Sequence, residues 1–304
     1  MAKHKKIKKN IKRNFFEILI ILLAFLIINN QDKIKNLFNQ NNNQNQNDYI
    51  NTNNDLLKVH YLDVGQGDSI FIELPNNVTM LIDAAESYQS ENIINYLKNL
   101  NYQKIDYVIG THPHTDHIGG LRDIINTFEI GKIYMPKVVS TTKTYENLLM
   151  AIKDKNLKIN TAKAGTSIID TDALKINILA PNNSTYTELN NYSVVTKITY
   201  GTTKLLFMGD AEKLSENEIK ENVTADVIKI GHHGSNTSSS IDFIKKVNAK
   251  YGIISVGLNN KYNLPKEETI TNWKNSGTKI YLTSINGTIT AISDGTNIKI
   301  ESEK

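Results

Sequence analysis

The chain has 304 residues, 39% of them apolar, enough for one large or two small domains with a sizeable core. It contains no cysteine, so disulfides and thiolate metal ligands are excluded and any metal site must use His, Asp, Glu or amides. The formal charge of +4 comes from Lys3, Lys5, Lys6, Lys8, Lys9, Lys12 and Arg13; setting these aside leaves 28 basic against 31 acidic residues, which removes any bulk electrostatic case for nucleic acid binding.

In chain order, residues 1–14 form a basic tail, and residues 15–28 form a largely apolar run that is uninterrupted from Ile18 to Ile28. Basic first and apolar next predicts an uncleaved membrane anchor, with the lysines held inside and the body outside the cytoplasm. The run is shorter than the roughly 20 residues of a full span, so its flanking residues would have to snorkel. A secreted protein with a cleaved signal is the alternative, although Ile27-Ile28-Asn29-Asn30 offers no small-x-small cleavage site. Residues 29–55 are crowded with Asn and Gln, cannot bury enough apolar surface to offset ordering, and predict a disordered linker. The folded body is expected over residues 56–304.

Residues 57–64 and 69–74 read as paired strands around Asp63-Val64-Gly65-Gln66-Gly67-Asp68, whose two glycines permit a tight turn. His60, within the first of these strands, reads as structural. Residues 78–83 give a third strand ending in the carboxylate of Asp83. A helix is expected over 91–100, a strand over 105–109, helices over 118–128 and 144–152 flanking a strand over 130–135, and short strands over 157–161, 166–169 and 174–180. After the loop Pro181-Asn182-Asn183-Ser184 a second half begins, with hairpin strands over 194–200 and 204–208 around Gly201-Thr202. It continues with helices over 213–221, 240–247 and 266–275 and strands over 226–230, 252–256, 279–283, 288–293 and 298–300. Alternating strands and helices give an α/β fold, and two such halves stacked sheet on sheet with helices outside give an αββα sandwich.

The chemistry concentrates at Ile109-Gly110-Thr111-His112-Pro113-His114-Thr115-Asp116-His117-Ile118-Gly119-Gly120, directly after a buried-type strand. Alternation puts His112 and His114 on one side of the strand-end loop and turns Asp116 and His117 toward a second point, a layout that suits two neighbouring cations. Imidazole nitrogens and a carboxylate oxygen suit zinc foremost, with manganese or iron as alternatives. Gly119 and Gly120 let the backbone pass close before the next helix starts. Two later strands also end in potential ligands, one at Gly209-Asp210-Ala211-Glu212 and one at Gly231-His232-His233-Gly234-Ser235. Five of the seven histidines fall in the two clusters. No Walker-type or dinucleotide glycine motif competes, since Gly65-Gln66-Gly67 is too short and lacks the lysine.

The pattern His112-x-His114-x-Asp116-His117 resembles the metal-binding signature of the metallo-β-lactamase superfamily. Leu62-Asp63-Val64-Gly65-Gln66-Gly67-Asp68 resembles the opening of one branch, the hydrolase domain of ComEC-type DNA-uptake proteins. The resemblance covers roughly residues 56–302. It implies that His112 and His114 hold a first metal, that Asp116, His117 and one of His232 or His233 hold a second, and that Asp210 bridges them. Asp83 then orients a metal-bound histidine from behind. A hydroxide held by the two metals would be the nucleophile, with Asp116 orienting it and the spare histidine of the His232/His233 pair assisting the leaving oxygen.

Three departures from that pattern stand out. Ala84-Ala85 follow Asp83 where the family often has glycine, no histidine lies between His117 and His232, and Leu264 stands before Pro265 where the branch has histidine. Asn190-Asn191-Tyr192-Ser193 resembles the branch's Asn-x-x-Ser segment, making Asn191, or Asn190, a candidate for binding substrate or metal. Ser235 either hydrogen-bonds a substrate phosphate or caps the next helix. The implied function is a phosphodiesterase or nuclease acting on DNA or a related phosphodiester outside the cytoplasm. The alternatives are an esterase or lactamase on cell-wall or small-molecule substrates, and a non-catalytic binding module with a degraded metal site.

Overall fold

The computed structural model describes residues 55–304. The expected basic tail, the membrane anchor and almost all of the linker lie outside the described residues. Among those described, no helix is long and apolar enough to cross a membrane.

Alternation along the strands builds the layers. In β1 (Leu57–Tyr61) the side chains of Leu57, Val59 and Tyr61 enter one core, and β2 (Ile70–Leu74) and β3 (Val78–Ile82) add Ile70, Ile72, Leu74, Met80 and Ile82 to it. These meet Ile176 and Ile178 of β8 (Leu174–Ala180), Ile198 of β9 (Val195–Tyr200) and Leu205 and Phe207 of β10 (Thr203–Phe207), so this core lies between two sheets. The opposite face of the first sheet, with Phe71, Leu81 and Val108, is covered by α1 (Ser90–Asn99), α2 (Thr115–Ile118), α3 (Leu121–Thr127) and α4 (Lys143–Asp154). α1 contributes Ile93 and Leu97, four residues apart on one face, and Thr142 caps α4 by accepting the Tyr145 N–H at 3.3 Å.

The second sheet is covered in the same way. Leu206, Ile228 and Ile254 pack with Phe243, Ile244 and Val247 of α6 (Ile241–Val247) and Trp273 of α7 (Glu267–Asn275), while α5 (Lys213–Glu218) follows β10. The layers are those of an αββα sandwich.

The first sheet also contains β4 (Lys104–Ile109), β5 (Glu129–Met135), β6 (Ile159–Thr161), β14 (Ile289–Ser293) and β15 (Ile298–Ser302), in the order β15-β14-β1-β2-β3-β4-β5-β6. The second runs β13-β12-β11-β10-β9-β8-β7, adding β7 (Thr166–Asp170), β11 (Val227–Lys229), β12 (Tyr251–Ile254) and β13 (Lys279–Leu282). α8 (Thr283–Asn286) leads from β13 back toward β14.

This topology corrects the division at Pro181. β7 and β8 already pair into the second sheet with β9, and β14 returns to the first sheet beside β1 with Leu57 opposite Ser293. An apolar strand pattern specifies burial and leaves the choice of partner open. The helix expected over 118–128 is also interrupted, as α2 and α3 with Gly119 and Gly120 between them. The backbone of Ala84 and Ala85 crosses there, and the Gly120 N–H donates to the Ala84 carbonyl at 3.2 Å. A Cβ on either glycine would overlap those carbonyls.

Candidate metal centre

The expected ligands and Asp83 all stand past the C-terminal end of a strand. Asp83 follows β3, the His112 loop follows β4, Asp210 follows β10 and the His232-His233 turn follows β11. Since β3 and β4 run parallel in one sheet, and β10 and β11 in the other, their C-terminal loops gather at one end of each sheet. Two backbone bonds tie the loops together: the Val194 N–H donates to the Thr111 carbonyl and the His232 N–H to the Gly209 carbonyl, each at 3.0 Å.

Three imidazoles are fixed through Nδ1. His117 Nδ1 donates to Asp83 Oδ2 at 2.7 Å, His112 Nδ1 lies 3.1 Å from Thr111 Oγ1, and His233 Nδ1 donates to the Ser255 carbonyl at 2.9 Å. Thr111 is itself held by Asp83, its Oγ1 donating to Oδ2 at 2.6 Å and its N–H to Oδ1 at 2.8 Å. Each ring therefore turns Nε2 toward Asp210. Oδ2 of Asp210 lies 3.2 Å from His117 Nε2 and 3.9 Å from His112 Nε2, and Oδ1 lies 3.5 Å from His233 Nε2. Asp116 Oδ2 is 3.4 Å from the same His233 nitrogen, and His114 Nδ1 is 2.9 Å from His112 Nε2.

His117, His233 and Asp210 are almost fully buried, yet His117 Nε2, His233 Nε2 and Asp210 Oδ1 have no hydrogen-bond partner among the described residues. Buried polar atoms are rarely left so. Two imidazole nitrogens and a carboxylate oxygen, converging without hydrogen-bond partners, are a donor set that fits a divalent cation. Three groupings have ligand atoms close enough to share an ion: His112, His117 and Asp210; Asp116, His117 and His233; and Asp68, Asp83 and His117. His117 belongs to all three, whereas its spacing in sequence places it with Asp116 alone.

The electrostatics are those of a crowded buried cluster. Burial works against charge on Asp210, but His117 and His233 hold its carboxyl well below the usual range. Burial likewise disfavours a charged His233, yet Asp210, Asp116 and Asp68 push it up to about 10. Against the same penalty, Asp210 and Asp83 raise His117, while burial and the nearby His117 lower His112. A cation taken up at Nε2 would displace a proton that these carboxylates favour.

The two adjacent histidines have different surroundings. Both line a 350 Å³ cavity, but His233 is buried whereas His232 is partly exposed, with Nδ1 2.9 Å from Thr237 Oγ1 and Nε2 3.9 Å from Asp210 Oδ2. Both adopt left-handed backbone, φ +50° and +51°, an uncommon conformation that clusters at functional sites. His114, Asp116, Asn190, Tyr262 and Leu264 also line the cavity.

Two of the expected substrate contacts are placed elsewhere. Asn191 is buried and clamps Glu212, accepting its N–H at 3.3 Å and donating to Oε2 at 3.1 Å. The residue before it faces the cavity instead: Asn190 Oδ1 is buried with no hydrogen-bond partner among the described residues. Ser235 does not line the cavity; its Oγ accepts the Thr237 N–H at 3.2 Å and so shapes the turn that holds His232. Ser240 caps α6 in its place. His60 is distant from this chemistry, with Nε2 on Glu73 at 2.8 Å and Nδ1 beside Tyr96 Oη at 3.0 Å.

Sequence reasoning missed Thr111, Ser193, Glu212, Asp68 and Lys229. Ser193 Oγ accepts the Asp210 N–H at 3.0 Å and lies 3.4 Å from His112 Nδ1. Lys229 carried a readable signal, since a lysine inside the apolar strand Val227-Ile228-Lys229-Ile230 demands a buried counter-charge.

A model of the metallo-beta-lactamase superfamily matches residues 62–257. The chain is 30% identical over 252 residues to ComE operon protein 3 of Bacillus subtilis (strain 168), covering 76% of this chain and 32% of that protein. It is 24% identical over 231 residues to Competence protein ComA of Neisseria gonorrhoeae, covering 75% and 31% respectively. The chain thus matches about a third of the length of these relatives. Among solved structures, the diiron beta-hydroxylase CmlA from Streptomyces venezuelae shares the fold at a TM-score of 0.50 and 11% identity, over 74% of this chain and 52% of that one. With its strand-end histidines, its two layered sheets and a family match across most of the folded body, the chain belongs to the metallo-beta-lactamase superfamily and is similar to ComEC-like competence proteins.

Proposed function

We propose that this protein is a metal-dependent hydrolase of phosphodiesters, with DNA outside the cytoplasm as the substrate and residues 15–28 as its membrane anchor. The observation that carries the metal assignment is the convergence of His117 Nε2, His233 Nε2 and Asp210 Oδ1, all buried and without hydrogen-bond partners among the described residues. His112, His114, Asp116, His117, Asp210 and His233 would hold two divalent cations, zinc foremost, with Asp210 as the carboxylate they would share. Such cations make a water nucleophilic at neutral pH and polarise the phosphoryl oxygen.

The remaining steps belong to the chain's own side chains. Asp116 orients the attacking water, and Asp83 keeps His117 in register through Nδ1. His232, at the cavity edge, is placed to assist the departing oxygen, and Asn190 to bind the substrate near it. The competence proteins among the relatives support a DNA substrate and an extracytoplasmic site.

Leu264 favours a second reading. It lines the cavity where the related motif carries histidine, and it can neither donate a proton nor bind a cation. A module that holds metal and ligand without turnover follows from that substitution.

One experiment separates these. The full-length chain and its Asp210→Ala variant are analysed for bound metal and assayed on a phosphodiester reporter, single-stranded DNA and a β-lactam reporter. Metal with phosphodiesterase activity lost in the variant supports the proposal, metal without turnover supports the binding module, β-lactam turnover supports the lactamase alternative, and absence of metal under all loading conditions overturns the metal assignment.

A further inference from the structure

Lys229 has no part in the steps above, and its position is unusual. It ends β11, where alternation sends Val227 and Lys229 into the layer between the sheets while Ile228 and Ile230 join the helix-side core. An ammonium there requires a partner. Lys229 Nζ lies 2.8 Å from Asp68 Oδ2 and donates to the Ile230 carbonyl at 3.1 Å, and both side chains are buried.

Asp68 comes from the other sheet, at the end of the β1–β2 loop, and its backbone is clasped to the metal-binding segments. Its N–H donates to the Asp116 carbonyl at 3.1 Å and its carbonyl accepts the Ala85 N–H at 2.8 Å. The preceding Gly67, at φ +129°, lies so close to Asp116 that a Cβ would overlap its carbonyl oxygen. The second carboxylate oxygen of Asp68, Oδ1, lies 3.4 Å from His233 Nδ1.

His233 Nδ1 is thus flanked by the Ser255 carbonyl, on its own sheet, and by Asp68, on the opposite one. Its Nε2 faces Asp116 and Asp210. Resting on the metal-binding role given above, we propose that the buried Lys229 and Asp68 ion pair is a positioning device that aims His233 Nε2 into the metal centre and fixes that ligand of the second sheet against the metal loop of the first. Lys229 holds the Asp68 carboxylate in place, and Asp68 restrains rotation of the His233 ring. Partners of this kind, behind a ligating imidazole, tune metal affinity without touching the metal.

The test is a cobalt(II) titration of the full-length protein, following the visible absorption of the ion, with chelator competition for affinity. In Lys229→Met, the affinity of one of two cobalt ions is expected to fall about 10- to 100-fold with an altered spectrum, while the other is retained. Removing one charge of a buried pair endangers folding, so Asp68→Leu combined with Lys229→Met, which removes both, is measured alongside it with thermal unfolding as the check on fold. The same selective loss is expected there. A folded double variant that binds both ions with wild-type affinity and spectrum would overturn the proposal, as would equal weakening of both ions. Wild-type protein that takes up no cobalt sinks the metal-binding role itself, and the positioning role with it.

Discussion

The carboxylate of Asp83 lies 2.7 Å from His117 Nδ1, with neither residue exposed to solvent. Its Oδ2 accepts from both His117 and Thr111, so one atom sets the orientation of a ring and of the hydroxyl beside His112. Asp83→Asn replaces an acceptor-only group with an amide that offers N–H to one of those donors. Metal affinity is expected to fall about 10- to 100-fold, measured by chelator competition. Unchanged affinity would mean that the backbone alone holds His117.

Asn190 and Asn191 are adjacent but face different surroundings, and their alanine variants should diverge. Asn190→Ala removes a side chain that lines the cavity; KM for a phosphodiester reporter should rise several-fold, with unfolding free energy changed by no more than about 0.5 kcal/mol. Asn191→Ala empties both ends of the clamp on buried-side Glu212 and should destabilise by about 1–3 kcal/mol in urea unfolding. Identical behaviour of the two would contradict the assignment of the cavity to Asn190.

Much of this site was legible because it is local. His112, His114, Asp116 and His117 occupy six consecutive positions after a strand, so spacing alone groups them. Asp210 and the His232-His233 pair were legible as strand-end candidates, with the choice between the two histidines left open, and their approach to the loop depends on two sheets meeting. What sequence could not resolve lies at single-residue offsets and long separations. Whether Asn190 or Asn191 faces the cavity depends on one step within the short helical turn Leu189–Tyr192. Asp68 and Lys229 belong to different sheets, and no local pattern pairs them. The αββα layering was read correctly, but the division into halves at Pro181 was misjudged for the same reason: burial predicted β7, β8, β14 and β15 as strands, while their sheet partners are set by tertiary packing.

Gly120 shows a local signal being read correctly for close approach while the helix around it was misjudged. Its missing side chain leaves room for the Ala84 carbonyl, which holds the turn after Asp83 against the metal loop. Gly120→Ala should therefore destabilise by about 1–3 kcal/mol, as overpacking does. Urea unfolding measures this, and a change under about 0.5 kcal/mol would show that the turn yields freely.

The last prediction concerns pH and the cluster around His60, away from the metal centre. Burial opposes ionisation of Glu73, but hydrogen bonds from His60 at 2.8 Å and Tyr102 at 2.6 Å, with attraction from His60 and Lys58, hold its carboxyl down at about 2. Its ordinary value is 4.5, so the folded state favours the ionised form. That stabilisation is fully present above the unfolded value and is lost as pH falls from 4.5 toward about 2. Other carboxylates also titrate in this range, so the informative quantity is the stability of wild type minus that of Glu73→Gln. This difference should shrink steadily as pH falls below about 5.5, because the variant lacks the titrating carboxylate while keeping its shape. Thermal unfolding of both proteins across that range checks it, and parallel curves would show that the His60 and Tyr102 contacts do not depend on the charge of Glu73.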